Sequence, residues 1–275
     1  MEMFSYGFMT RALIASCFIA IIAPMLGIFL VLRRQSLLAD TLSHVSLAGI
    51  ALGFFVNINP TITTLLVVIA ASISLEYIRS LYKSYSEVST AILMSGGLAV
   101  ALVLMNLNKG ENAMNIQQYL FGSIITINWN QVIILGILTL IILILFIFLR
   151  RPMYVMTFDE DTAHVDGLPI HWLSLMFNVI TGVAITVMIP IAGALLISAI
   201  MILPATISMR LGKTFSLVMV ISIIVGFIGM ISGLISSYQL DTPPGATITL
   251  IFITLFILVN VLDKLKQKRN RKSSL

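Results

Sequence analysis

Long apolar runs, each about one membrane thickness, alternate with short polar breaks along almost the whole chain. A helix needs about 20 apolar residues to cross roughly 30 Å of hydrocarbon. Only helices or closed barrels satisfy every backbone hydrogen bond there. Barrel strands would alternate apolar and polar positions, whereas runs such as Val132 to Leu149 are apolar on every face. The pattern therefore predicts helices, over 12–32, 40–56, 61–78, 89–107, 131–149, 172–189, 191–209, 214–236 and 243–262. No polar loop separates the sixth from the seventh. Trp172 to Met209 is an uncharged stretch of 38 residues; as one helix it would be about 57 Å long, nearly twice the hydrocarbon thickness. Pro190 and Gly193 lie near its middle, where a helix breaks most readily. Two spans joined by a tight turn result.

Composition agrees. The 275 residues are 59% apolar and 10% charged, with a mean hydropathy of +1.08, against ~45–50% and ~25% in soluble domains. A water-soluble fold would have to expose large apolar patches. The expectation is an all-α, polytopic transmembrane bundle of eight or nine spans, over residues 1–262. The net charge of +5 does not point to nucleic acid, because the basic residues sit in short clusters between apolar runs. With the N-terminus outside, fourteen of the sixteen Lys and Arg fall inside: Arg33, Arg34, Arg79, Lys83, Arg150, Arg151, Arg210, Lys213 and the six of the tail. Only Arg11 and Lys109 fall outside. The positive-inside rule thus puts the C-terminus in the cytoplasm, and the N-terminus outside if the span count is odd. The basic tail, 263–275, reads as a stop-transfer anchor against anionic lipid. Cys17 is the sole cysteine, which excludes an intrachain disulfide and a Cys-based metal site. The first run is followed by Arg33-Arg34 rather than a cleavage site and is retained.

Few candidates for chemistry remain. Asp40 and His44 are four apart at the start of the second span, on one helix face and about 5–6 Å apart at Cβ. A carboxylate and an imidazole suit a divalent first-row ion such as zinc or manganese; the other reading is a structural Asp–His hydrogen bond, with Asp40 capping the helix start. Asp241, just before Pro243-Pro244, reads locally as a turn residue. The connection 108–130 contains the apolar Tyr119-Leu120-Phe121 and reads as an interfacial or re-entrant segment. The connection 150–171 packs Asp159, Glu160, Asp161 and Asp166 together; Asp161 or Thr162 would cap a short helix ended by Gly167 and Pro169. It suits docking of a soluble partner, and His164 and His171 beside the acids leave a regulatory metal site open. Gly212-Lys213-Thr214 lacks the first glycine of a phosphate loop, since position 207 is Ile207. No H-E-x-x-H or G-x-S-x-G occurs, so hydrolase chemistry has no support. Gly49-x-x-x-Gly53 and Gly229-x-x-x-Gly233 mark close helix contacts, within a subunit or at a dimer seam.

Taken together, five segments resemble the bacterial zinc/manganese ABC-importer permeases (ABC-3 type), in order from about residue 26 to 250. LRRQSLLADTLSHVSLAGIALG resembles their basic turn and D-x-x-S-H helix, YLFGS their Y-L-F-G-S segment, and FDEDTAHVDGLP their F-D-x-x-x-A-x-x-x-G stretch. GALLISAIMILPATISMRL and DTPPGATI resemble their G-x-L-L-x-x-A-x-x-x-L-P-A and D-x-P-x-G-x-x-I elements. The resemblance implies a permease subunit in the bacterial cytoplasmic membrane, not itself an enzyme. It would pair with a second copy, dock on a cytoplasmic ABC ATPase dimer and receive metal from an extracytoplasmic binding protein. It implies metal binding at Asp40, His44 and Asp241, and coupling to the ATPase through Phe158, Asp159, Ala163 and Gly167. No cofactor would be held permanently; zinc, or manganese, would pass transiently, with the wording LSHVSLAG closer to the zinc branch. The topology leaves a tension, because Asp40 and His44 lie near the inner boundary and Asp241 near the outer one. The alternative from another transport class is a proton- or sodium-coupled carrier. Such carriers often show inverted repeats, and no convincing internal repeat is visible here.

Overall fold

The computed structural model describes residues 7–81, 86–107, 119, 122 and 127–273. In chain order the helices are α1 (Gly7–Leu32), α2 (Leu37–Val56), α3 (Pro60–Leu81), α4 (Ser86–Leu107), α5 (Trp129–Phe158), α6 (Glu160–Val165), α7 (Ile170–Ala192), α8 (Ala194–Leu211), α9 (Phe215–Leu240) and α10 (Pro244–Ser273). Among the described residues nine of these, all but α6, are long and apolar enough to cross a membrane. They are the nine that the hydrophobic pattern predicts. Most of the predicted connection 108–130 lies outside the described residues, including Leu120, Phe121 and Ser123 of the Y-L-F-G-S segment.

Several boundaries differ from the pattern: α1 starts five residues before the predicted 12, and α10 continues eleven residues past the predicted 262, to Ser273; three others have a physical reason in the local geometry or packing. The sixth and seventh spans part at Gly193, which adopts φ 81° and ψ 151°, a conformation open to glycine alone. Pro190 stays inside α7. α5 runs nine residues beyond the predicted 149, through Arg150, Arg151 and Pro152 to Phe158. Continuing the helix buries Met153 and Met156 in the core and stacks Tyr154 edge-on against Phe215, 5.3 Å between centroids. α2 begins three residues early, at Leu37. The preceding basic turn is a Schellman cap: Arg34 is left-handed at φ 56°, its N–H reaches Val31 O at 3.1 Å, and the Gln35 N–H reaches Leu30 O at 2.7 Å. That turn saves residues, so the next helix starts at once.

Burial divides the bundle. In their most apolar stretch α1 and α2 are each 72% buried, against 11% for α4 and 17% for α10. Interior helices approach through small residues, the usual solution where lipid is as apolar as the side chains. Gly27 of α1 lies on the Met201 carbonyl of α8, and Gly226 of α9 on Ala20 and Pro24 of α1. Gly49 and Gly53 seat α3 on α2, with the Thr63 hydroxyl donating to Gly49 O at 3.0 Å. Gly229 and Gly233 receive Phe252 and Ile248 of α10. Both G-x-x-x-G motifs therefore make contacts within one chain.

A methyl added at Gly49 would stand 2.5 Å from the Thr64 backbone. Gly49→Val is expected to destabilise the protein by about 1–3 kcal/mol through overpacking. Gly96→Ala meets nothing within 4 Å and should leave stability unchanged or raise it by up to ~1 kcal/mol. Thermal unfolding of the two variants in detergent checks this contrast.

Candidate metal centre and coupling segment

Because α2 starts at Leu37, with Ser36 as N-cap, Asp40 lies inside the first turn and does not cap the helix. It is half-buried, and among the described residues no hydrogen bond or ion pair engages it. His44, one turn on and also half-buried, holds Nδ1 buried with no hydrogen-bond partner; Ser43 Oγ is left in the same condition. The Asp–His hydrogen bond of the structural reading is not formed. Neighbouring hydroxyls behave otherwise: Thr41 Oγ1 donates to Leu37 O at 2.9 Å and Ser46 Oγ to Leu42 O at 2.7 Å. Among the described residues the α2 face thus presents a carboxylate and an imidazole nitrogen without protein partners, the donor set of a first-row divalent ion.

Asp241 sits elsewhere. It is the exposed, left-handed residue (φ 54°) that ends α9, and the Thr242 N–H reaches Ser237 O at 3.1 Å to close the turn. Aspartate tolerates this conformation better than most residues. Pro244 and Gly245 beyond it line a small cavity with Ala12 and Ile127, at the end where Arg11 Nε donates to Ile127 O at 2.6 Å. The basic end lies across the bundle, held by Arg150 Nη2 on Ser216 Oγ at 2.7 Å and by the Arg210–Asp263 pair at 3.9 Å. Asp40 and His44 belong to that basic half. Among the described residues no three His, Cys, Asp or Glu gather as a metal-holding group. Within one chain, then, the structure brings Asp40 and His44 together but not Asp241.

The acidic connection is shorter than the sequence suggests, since α5 ends only at Phe158. Asp159 is the N-cap of α6, accepting from Thr162 N at 2.9 Å and Thr162 Oγ1 at 2.5 Å. The expected caps, Asp161 and Thr162, lie inside the helix, Thr162 as the donor that Asp159 holds. Ala163 is fully buried, and the Leu168 N–H bonds to its carbonyl at 3.0 Å. Gly167, at φ 71°, turns the chain toward α7. Phe158 is 54% exposed yet stacks on Tyr154 at 4.6 Å. Glu160, Asp161, His164 and Val165 are left facing out.

Beneath α6 opens a cleft of about 980 Å³ lined by Arg33, Glu76, Arg79, Glu160, His164 and His171, among others. Burial, helped by Arg79 and opposed by Glu76 and Glu160, lowers the Arg33 pKa to about 10. The guanidinium donates Nη2 to Ser174 Oγ at 2.8 Å and lies 5.8 Å from the Phe177 ring centre. Glu76 and Asn178 escape the sequence reading. The signal was present, because Glu76 is a lone carboxylate inside the predicted 61–78 span, where an ionisable residue is a functional candidate by default.

The ABC 3 transport family matches residues 5–263, and the chain belongs to it. Over 247 residues it is 28% identical to the high-affinity zinc uptake system membrane protein ZnuB of Haemophilus influenzae, covering 90% of this chain and 94% of that one. Over 258 residues it is 24% identical to the manganese transport system membrane protein MntC of Halalkalibacterium halodurans, covering 94% and 88%. The fold matches a chain of PsaBC from Streptococcus pneumoniae in complex with Fab, with a TM-score of 0.83 at 24% identity over 94% of this chain and 92% of that one.

The hydrogen bonds from Thr162 hold the Asp159 carboxyl below its ordinary pKa. A group depressed on folding stabilises above its unfolded pKa, and that contribution is lost as pH falls through the folded value. Amide-exchange protection of 160–168 should therefore hold at neutral pH and collapse below the ordinary carboxylate range. Asp159→Ala should show the low-protection state at every pH.

Proposed function

We propose that this chain is the membrane-spanning subunit of an ATP-driven importer that moves a divalent metal into the cytoplasm, zinc in preference to manganese. The observation that carries the reading is the bare pair on α2: a carboxylate and an imidazole one turn apart, half-buried and unpartnered, in a chain of the ABC 3 transport family. In a dry interior an unpaired polar group is costly unless something transient pairs it. A dehydrated cation delivered from outside is such a partner. Zinc is usually four-coordinate, and one chain offers two ligands. A second copy facing the first would bring Asp40 and His44 twice and complete a tetrahedral set.

The ion would be handed over by an extracytoplasmic binding protein, at the end where Arg11 and Asp241 lie. We assign Asp241 the shaping of that outer turn. At the basic end, taken as cytoplasmic on the positive-inside rule, Phe158, Asp159, Ala163 and Gly167 lie in and on either side of the short helix α6 that a cytoplasmic ATPase dimer would press on. The relatives' names divide among zinc, manganese and iron; the preference for zinc rests on the LSHVSLAG wording. The family membership weighs against the proton- or sodium-coupled carrier, which needs no soluble ATPase.

Radiolabelled zinc uptake into metal-starved cells tests this reading, with manganese and ferrous iron as competitors. Deleting the gene should abolish uptake, and Asp40→Asn and His44→Ala should each lower it by at least about tenfold, the smallest loss expected when a ligand rather than its support is removed. Asp241→Asn, which keeps a left-handed turn, should stay within about twofold of wild type. Manganese or iron displacing zinc at equal concentration would overturn the choice of metal. Unchanged uptake in both α2 variants would overturn the site.

A further inference from the structure

The polar groups that this path leaves unused gather between α3 and α7. Glu76 is 7% exposed and Asn178 fully buried. Asn178 Nδ2 donates to Glu76 Oε2 at 2.7 Å, while Asn178 Oδ1 is buried with no donor among the described residues. His171, two turns earlier on the same face of α7, holds Nδ1 3.8 Å from Glu76 Oε1. That separation is too long for a hydrogen bond. It is the spacing of two ligands around one ion, since ligands at about 2.0–2.2 Å from a metal stand roughly 3–4 Å apart. The α3–α7 seam therefore holds a carboxylate oxygen and an imidazole nitrogen at ligand spacing, both residues lining the cleft at the basic end, with the Asn178 amide fixing the other carboxylate oxygen from behind.

The surroundings make such a site weak rather than a trap. Arg33 bonds to Ser174, which lies between His171 and Asn178 on the same face, so a fixed positive charge stands beside the ligands. Its Nη1 is buried without an acceptor, which leaves the guanidinium able to take over Glu76 when a cation departs. Conduction requires stations that bind well enough to enter and weakly enough to leave.

We infer that Glu76 and His171, with Asn178 positioning the carboxylate, form a second divalent-cation station at the mouth of the basic-end cleft, occupied by the cargo after Asp40 and His44 and before release. The inference rests on the reading of this chain as a metal permease. Co²⁺ is the probe, a first-row divalent ion that N/O sites bind more tightly than manganese. It is titrated into the full chain in lipid nanodiscs and followed by its visible absorption. Wild type should show a tight and a weak class of site. Asp40→Asn combined with His44→Ala should remove the tight class and keep the weak one. Adding Glu76→Gln, which preserves size and still accepts from Asn178, should abolish the weak class. Adding instead His171→Gln, on a side chain 59% exposed, should weaken it by about tenfold or more. Thermal unfolding confirms that each variant is folded. Loss of all binding in the α2 double variant, or a weak class indifferent to both Glu76→Gln and His171→Gln, overturns the station. A tight class that survives the α2 double variant contradicts the site of the preceding proposal instead; the effect of Glu76→Gln on the weak class then decides the station by itself.

Discussion

The hydrocarbon interior offers no water, so every polar group on a spanning helix must find its partner in the protein. Most of this bundle follows from that constraint. Buried hydroxyls turn back on their own helices: Thr139 to Leu135 O, Thr181 to Phe177 O, Thr186 to Gly182 O and Ser72 to Val68 O, all within 2.7–2.9 Å. With those groups satisfied locally, helices are free to meet through glycines at Gly27, Gly49, Gly182 and Gly226. Against that local settlement, among the described residues, Asp40 and His44 on the deeply buried α2 stand out, together with the unpartnered hydroxyls of Ser43 and Ser222, and Glu76 is retained with Asn178 bonded to it.

The same packing ties the two ends of the proposed cycle together. α6 is continuous with α5 through Asp159 and with α7 through Gly167, so it cannot shift without moving both. Tyr154 and Phe158 of α5 stack on Phe215 of α9. Phe215 in turn meets Phe29 of α1, which also meets Phe177 of α7. Aromatic contacts thus join the end of α5, next to α6, to α1, α7 and α9. Arg33 rests against that cluster, with its guanidinium over Phe177, and borders the cleft through which a cation would leave.

The spans were legible because burial in lipid is written locally, as length and apolar character. The break near residue 190 was legible for the same reason, although glycine rather than proline turned out to make it. The Asp40–His44 pair could be read because an i, i+4 spacing is a local fact. What the chain text did not show depends on partners distant in sequence. The extension of α5 to Phe158 follows from burial of Met153 and Met156 against other helices. The cap at Asp159 depends on that extension. The unpartnered state of His44 Nδ1 and the Glu76–Asn178 bond, 102 residues apart, exist only once α2, α3 and α7 are assembled. Asp241 was ambiguous in sequence because a left-handed turn and a metal ligand both favour aspartate; its exposure and its φ of 54° give it a turn to make.

X-ray absorption at the zinc edge, on the purified permease loaded with one zinc per pair of chains, tests the central claim most directly. The account predicts a first shell of oxygen and nitrogen alone at about 2.0–2.2 Å, with the outer-shell scattering of imidazole present in His171→Gln, which keeps the α2 pair, and lost when His44→Ala is added to it. Imidazole scattering that persists in the His44→Ala, His171→Gln double variant, or a sulfur ligand near ~2.3 Å contributed by Cys17, would contradict it.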